Sequence, residues 1–360
     1  MARGGIIVVG ASAGGVRALT DLVARLPADL PATVLVVLHS SPTHESLLHQ
    51  ILDKAGPLRA TAAVNGEKLQ PGHIYVSVSD LHLMVEDHHL RLTRGPKECR
   101  ARPSIDVLFR SAAYTFGPHV IGIVLTGALD DGTAGLWAIK DHGGIAIVQS
   151  PHEALYPSMP QSALLHVAVD YTLPIRDMGA LVDKLVKEEI DIQEARPLRQ
   201  SLEIENRIAR GSNAFEVGAL QLGEPTHYTC PECSGTLARV QDGSSLARFR
   251  CHTGHAYTLK TLLADLNRNL DHTLWNVLRG IEERLLALQE LERQARMAGD
   301  ESARADYQQQ ISLATRWHGE LRGLLLDARS GGSTNSLPAN ELRRRAAAHS
   351  FDDELDQEGA

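Results

Sequence analysis

Ile6-Ile7-Val8-Val9-Gly10-Ala11-Ser12-Ala13-Gly14-Gly15 runs straight into a helical pattern, Val16 to Leu26, and this stretch decides the fold. Four β-branched residues read as a buried strand, the glycines as a sharp turn, and the apolar spacing that follows as a helix. Gly10-Ala11-Ser12-Ala13-Gly14 fits the G-x-S-x-G elbow, which holds a serine on a tight strand-to-helix turn with its hydroxyl exposed. Small neighbours permit that turn, and the helix N-terminus behind it favours developing negative charge. The rival reading is a phosphate-cradling loop that opens a dinucleotide domain. It needs glycine where Ser12 stands and an acidic residue near the end of the second strand. That strand, Ala32 to Leu38, ends instead in His39. A serine and a histidine closing successive strands suggest a nucleophile and its base.

The chain has 360 residues, room for two or three domains, and 43% hydrophobic residues support a sizeable core. Its net charge of −8 argues against a nucleic-acid partner, whose phosphates need a basic surface. No apolar run approaches the ~18 residues of a membrane helix. The first strand begins within a few residues of the start, so no secretion signal is expected. Cys99 stands alone while Cys230, Cys233 and Cys251 cluster. That is a poor disulfide framework and a good metal framework, which implies a reducing cytoplasm.

From 1 to 190, short apolar runs alternate with amphipathic segments. The runs are Ile6–Val9, Val34–Leu38, His73–Val76, Val120–Leu125 and Ile145–Val148. Helical patterns lie between them at Val16–Leu26, Glu45–Ala55, Ile105–Thr115 and Ala134–His142. This alternation predicts an α/β fold, a doubly wound parallel sheet, with ligands beyond the carboxyl ends of its strands. Ser12 and His39 sit at such ends. So does the loop Thr126-Gly127-Ala128-Leu129-Asp130-Asp131-Gly132-Thr133, where either carboxylate could join the site or merely cap the next helix.

Taken together, Gly10-Ala11-Ser12-Ala13-Gly14-Gly15, His39, and Leu125-Thr126-Gly127 leading to Asp131-Gly132 resemble the catalytic domain of chemotaxis protein-glutamate methylesterases, the CheB family. Supporting matches are Pro71-Gly72-His73-Ile74-Tyr75-Val76, Asp80 with His82, Arg102-Pro103-Ser104-Ile105-Asp106-Val107-Leu108-Phe109-Arg110-Ser111, and Met159-Pro160. The resemblance covers residues 4–190. It implies a catalytic triad of Ser12, His39 and Asp131, with the backbone N–H groups of Ala13 and Ala128 as oxyanion donors. The implied substrate is a glutamyl methyl ester on a methylated chemoreceptor, with glutamine deamidation as a second activity and no cofactor for catalysis. The chain order Ser, His, Asp differs from that of α/β-hydrolases. Three departures stand out. The receiver domain that many family members carry is not expected ahead of a first strand that starts so early, Ala13 stands where threonine is common, and Ser77-Val78-Ser79-Asp80 replaces a proline-rich run at the groove rim. Two other functions compete: a serine hydrolase of this fold acting on a methylated protein outside chemotaxis, and a catalytically silent signalling scaffold.

Residues 191–224 read as a linker that contains a short helical pattern, Leu202 to Ala209. Cys230-Pro231-Glu232-Cys233, then an excursion, then Cys251-His252-Thr253-Gly254-His255 has zinc-ribbon spacing within residues 225–258. Two strands, Leu237–Val240 and Leu246–Arg250, fill the excursion. Cys230, Cys233, Cys251 and His255 would close a structural zinc site, His255 being brought back to Cys251 by the turn at Gly254. Apolar positions 259, 263, 266, 270, 274, 278, 281, 285 and 288 then predict a long helix to about Met297. Gly299-Asp300 breaks it, and a second stripe completes an α-helical hairpin over 259–328. These helices either pair in a dimer or pack only on each other. A disordered tail is expected over 329–360. His82 is a candidate cleft residue, Cys99 an idle thiol, and His44, His49, His88, His89 and His142 surface residues. Because all candidate catalytic residues lie within 4–190, a fragment ending near residue 190 is expected to fold and act alone.

Overall fold

The structure, a computed structural model, describes residues 5–41, 43, 46–188 and 200–330. His44, Glu45, the first part of the expected linker (191–199) and the expected tail from 331 lie outside the described residues. Elements run β1 (Ile6–Ala11), α1 (Gly15–Val23), β2 (Thr33–Leu38), α2 (Leu48–Ala55), β3 (Arg59–Ala62) and β4 (His73–Val76). A hairpin of β5 (His82–Glu86) and β6 (His89–Thr93) follows. Then come α3 (Ile105–Phe116), β7 (Val120–Val124), α4 (Thr133–Asp141), β8 (Ile145–Gln149), α5 (Ser158–His166), β9 (Tyr171–Leu173) and α6 (Ile175–Lys187).

Seven strands form one parallel sheet in the order β3-β4-β2-β1-β7-β8-β9. Alternation along β1 explains why both faces are covered. Ile7, Val9 and Ala11 pack with α1, α2 and α6 through Leu19, Leu22, Leu52, Met178 and Val182. Ile6 and Val8 point the other way, to Ile105, Leu108 and Phe109 of α3 and Leu136 and Ile139 of α4. The strand order reverses between β1 and β7, so a crevice opens at their carboxyl ends, where Ser12 and the loop from Leu125 lie.

The remaining elements are α7 (Gln200–Ala209), β10 (Gly223–Thr229), β11 (Thr236–Val240), β12 (Arg248–Cys251), β13 (Ala256–Thr258), α8 (Leu259–Ala298) and α9 (Glu301–Ser330). The four strands make an antiparallel sheet in sequence order, two more than the excursion suggested. One compact unit runs from the first strand to Leu266 and holds both sheets; a second begins at Asn267.

Part of the stretch expected as a linker is packed structure. Leu202 of α7 joins the core under α3 and α4, and Ala209 packs with Met84 and Val107. Charged residues complete the join. Arg110 of α3 and Arg250 of β12 both bind the Glu98 carboxylate. Glu205 of α7 binds Arg250 at 2.7 Å and also Arg248, which pairs with Asp242. All six are buried. Their charges cancel, and stranding one of them would cost about 3–5 kcal/mol. A fragment ending near residue 190 would lose four of these six residues, Glu205, Asp242, Arg248 and Arg250, and the Leu202 packing, so the expected self-sufficiency of 4–190 does not fit the packing.

In the second unit α8 and α9 run antiparallel. Arg304 meets Glu292 at 3.0 Å, His318 meets Glu282 at 2.8 Å, and the Arg284 guanidinium lies over Trp317. The break at Gly299 falls where the sequence placed it, with Gly299 at φ 72. The first turns of α8 differ from the predicted stripe. Leu259 and Leu263 are exposed, and Leu262 is the residue that enters the core of the small sheet.

Candidate active site

The chain turns off β1 through Ser12, whose N–H donates to the Thr126 carbonyl at 3.0 Å and whose carbonyl accepts from Gly15 at 2.8 Å. The left-handed position is Gly14 (φ 75), where a side chain would be strained and would also crowd Leu155. Gly127 is equally constrained, because an added Cβ would lie 2.9 Å from Ser12 Cβ and 2.0 Å from the Met159 sulfur. Two glycines thus let the loop after β7 close on the serine.

His39 caps β2, its N–H donating to the Ala11 carbonyl at 3.3 Å. Its Nδ1 lies 3.1 Å from Ser12 Oγ and its Nε2 2.7 Å from Asp131 Oδ2. Three side chains predicted from sequence are therefore in one hydrogen-bonded row. The neutral tautomer that suits the row carries its proton on Nε2, leaving Nδ1 to accept from the serine hydroxyl. His39 keeps 21% of its side-chain surface, whereas Asp131 is sealed.

Asp131 is held from several directions. Ser104 Oγ donates to Oδ1 at 3.0 Å, as do the N–H groups of Asp106 (3.1 Å) and Gly132 (3.0 Å), while Ile105 N–H donates to Oδ2 at 2.7 Å. The amides of Ile105 and Asp106 begin α3, so this carboxylate also caps that helix. Burial opposes its charge, but the His39 bond and these amides prevail and hold its pKa below the usual carboxylate range. Beside it, burial and the Asp131 charge push the Asp106 carboxyl well up. Asp106 accepts from Gly135 N–H at 2.6 Å.

Asp130 points elsewhere. It is buried, accepts from Thr258 Oγ1 at 2.8 Å, and its other oxygen has no hydrogen-bond partner among the described residues. Burial raises its pKa to about 6, against the opposing Thr258 bond.

The two proposed oxyanion donors lie where the chain passes the serine. Among the described residues neither the Ala13 nor the Ala128 amide donates to an acceptor, and Ala128 is exposed. His82 is not a cleft residue. It is fully buried, bonded through Nε2 to the Pro96 carbonyl (2.9 Å) and through Nδ1 to Ser104 N–H (3.2 Å). Its work is to fix Ser104, which in turn holds Asp131. Cys99 is buried with its thiol on Asp106, and burial raises its pKa, so it is inert. His142 is buried too, bonded to the Ala138 carbonyl, rather than lying at the surface. Sequence reasoning did not single out Ser104, Gln149 or Thr258. Gln149 is buried at the end of β8 and accepts from Thr126 N–H at 2.8 Å. The only signal for Ser104 was its place inside the matched Arg102-Pro103-Ser104 stretch.

A second cluster lies in the antiparallel sheet. Donor atoms of Cys230, Cys233, Cys251 and His255 fall within 4.8 Å of one another. Cys233 and Cys251 sulfurs are 3.7 Å apart, and His255 Nδ1 is 3.7 Å from Cys230 Sγ and 3.6 Å from Cys251 Sγ. A tetrahedron with ~2.3 Å metal–sulfur and ~2.1 Å metal–nitrogen bonds has edges of roughly 3.6–3.8 Å. The donor set therefore fits zinc in both type and spacing. Gly254 (φ 100) makes the turn that returns His255, and the fully buried Arg250 holds its carbonyl at 2.7 Å. His252 is not among the four grouped donors, and its ring lies against Gly235.

Comparison with known proteins bears on the first site. A family model described as CheB methylesterase matches residues 7–182. A putative protein-glutamate methylesterase/protein-glutamine glutaminase of Leptospira interrogans is 34% identical over 186 residues, 51% of this chain and 96% of that protein. Protein-glutamate methylesterase/protein-glutamine glutaminase 2 of Methanosarcina mazei is 35% identical over 190 residues, covering 51% of this chain and 52% of that one. The chain thus spans about half the length of the Methanosarcina relatives it matches. The catalytic domain of the Thermotoga maritima CheB methylesterase is 30% identical with a TM-score of 0.48, covering 50% of this chain and 97% of that domain.

Proposed function

The chain belongs to the CheB methylesterase family, and from that premise we propose that it hydrolyses glutamyl methyl esters on a methylated chemoreceptor, with glutamine deamidation as a second activity. The observation that carries this reading is the unbroken row from Ser12 through His39 to Asp131, at 3.1 and 2.7 Å.

In this reading Ser12 Oγ attacks the ester carbonyl as His39 Nδ1 takes its proton. Asp131, charged and fixed by the α3 amides, keeps the imidazole aligned and stabilises its protonated form. The amides of Ala13 and Ala128 receive the oxyanion. His39 returns the proton to the leaving methoxide, so methanol departs. Water, deprotonated by the same imidazole, then hydrolyses the glutamyl-serine ester and frees Ser12. No step calls for a metal.

We also propose that Cys230, Cys233, Cys251 and His255 hold one structural zinc, which would supply folding energy to a sheet whose own core is small. Within this reading residues 1–190 carry the chemistry, the residues from 225 to 258 form the metal module, and the protein works in the cytoplasm. No described helix is long and apolar enough to cross a membrane. The substrate is tested by methanol release against a panel of methylated receptor fragments. Release from these, with none from unrelated methylated proteins, supports chemotaxis; the opposite preference moves the enzyme to another methylated target. No release from any ester, with the fold intact, leaves a silent scaffold.

A further inference from the structure

Thr258 ends β13 only three positions after His255, yet its side chain reaches Asp130 in the loop that follows β7 of the other sheet. It is the residue before α8, and it caps that helix reciprocally. Thr261 N–H donates to Thr258 Oγ1 at 3.1 Å, and Thr258 N–H donates to Thr261 Oγ1 at 2.8 Å. With the oxygen accepting from the helix, the hydroxyl proton goes to Asp130 Oδ1 at 2.8 Å. Thr258, Thr261 and Asp130 are all buried, so water cannot replace this bond.

The loop that carries Asp130 is held unevenly. Thr126 is tied to Gln149, Ala13 and Tyr156, and Gly127 to Tyr156 and Met159. Asp131 is tied to α3. Between these firm ends lie Ala128, exposed with a free amide, and Leu129, whose φ of 64 is a left-handed conformation. A branched side chain pays roughly 1–2 kcal/mol there, so the segment persists only if its surroundings impose it. Two contacts do so: Ser158 Oγ donates to the Leu129 carbonyl at 2.8 Å, and Thr258 grips Asp130.

We infer that Thr258 is a positioning residue of the proposed esterase, acting through Asp130 to fix the loop that presents the Ala128 amide to the oxyanion. This makes the C-terminal module a working part of the active site. The inference rests on the reading of Ser12 as nucleophile.

The test uses the full chain and its variants Thr258→Val, Thr258→Ser, Asp130→Ala and the double variant Thr258→Val with Asp130→Ala. Two readouts are taken: methanol release from a short peptide carrying a glutamyl γ-methyl ester, and the rate at which a fluorophosphonate labels Ser12, followed by mass spectrometry. Thr258→Val and Asp130→Ala should each lower kcat and the labelling rate about tenfold with KM within about twofold, as expected for a loss felt mainly by the oxyanion. The double variant should be no worse than either single, and Thr258→Ser should restore the rate. A wild-type kcat in folded Thr258→Val, losses that multiply in the double variant, or a Thr258→Ser as slow as Thr258→Val would each overturn the inference. If Thr258→Val fails to fold, Asp130→Ala against Thr258→Ser decides. Should the wild type label at Ser12 yet release no methanol, the substrate assignment fails alone, and the labelling rates still judge Thr258.

Discussion

The crevice at the end of the parallel sheet and the knuckle of the antiparallel sheet both gather polar side chains from distant parts of the chain, but they are held together differently. Asp131 sits among backbone amides of α3 and its own loop, donors that the core of the large sheet positions. The knuckle has a core of only Cys230, Leu237, Phe249, Cys251, Tyr257 and Leu262, two of which are themselves donors. The crevice is built by the fold; the knuckle would be completed by its proposed metal. Damage to the crevice should therefore cost turnover and little stability. Damage to the knuckle should cost stability first and turnover only through Thr258.

The sharpest way to break this contrast is His39→Ala. It should lower kcat on the order of 10⁴–10⁶-fold while leaving the thermal midpoint within a few degrees, since the ring is partly exposed at a strand end. A midpoint collapse with activity retained in the folded fraction would reverse the assignment. Asp131→Asn should cost roughly 10⁴ in kcat, because the amide presents the wrong group to His39 Nε2. It should also destabilise, since an NH₂ group now faces N–H donors. This is the one crevice substitution expected to lower both, and calorimetry beside kinetics checks it.

On the other side, removing zinc with a strong chelator, or Cys251→Ser, should release about one zinc per chain and loosen the antiparallel sheet, read by near-ultraviolet circular dichroism. Hydrolysis should fall only about as far as in Thr258→Val, around tenfold. No bound metal in a protein with an intact knuckle would remove the distinction.

The smallest effect concerns pH. Asp130 has a folded-state pKa of about 6 against an ordinary 3.8, chiefly through burial, with Lys260 opposing and Asp131 adding to the rise. The folded state therefore binds the proton more tightly, and stability falls as pH rises from about 4 through about 6. The full cost above that window is up to about 3 kcal/mol. Asp130→Asn keeps an acceptor for Thr258 and removes this titration. Its stability relative to wild type should improve between pH 4 and pH 8, with little change in kcat; a pH-independent difference would contradict the account.

The large sheet was legible because its central strands are short runs of buried β-branched residues, and Ser12 and His39 end two of them. The edge strands Arg59–Ala62 and Tyr171–Leu173 were not, since an edge strand needs only one covered face and these carry little apolar signal. Ser104, Gln149 and Thr258 act through bonds to residues 23 or more positions away, which no local pattern encodes. The supposed linker misled for a related reason. Glu98, Arg110, Glu205, Arg248 and Arg250 read as solvated charges one by one, and only their pairing makes their burial tolerable.

The most direct test of the central claim is methanol release from a glutamyl methyl ester peptide by the full chain and by Ser12→Ala, at matched concentration and confirmed fold. The account predicts turnover by the wild type and a loss on the order of 10⁴-fold or more in the variant. Turnover by Ser12→Ala within tenfold of wild type would show that another group carries the reaction.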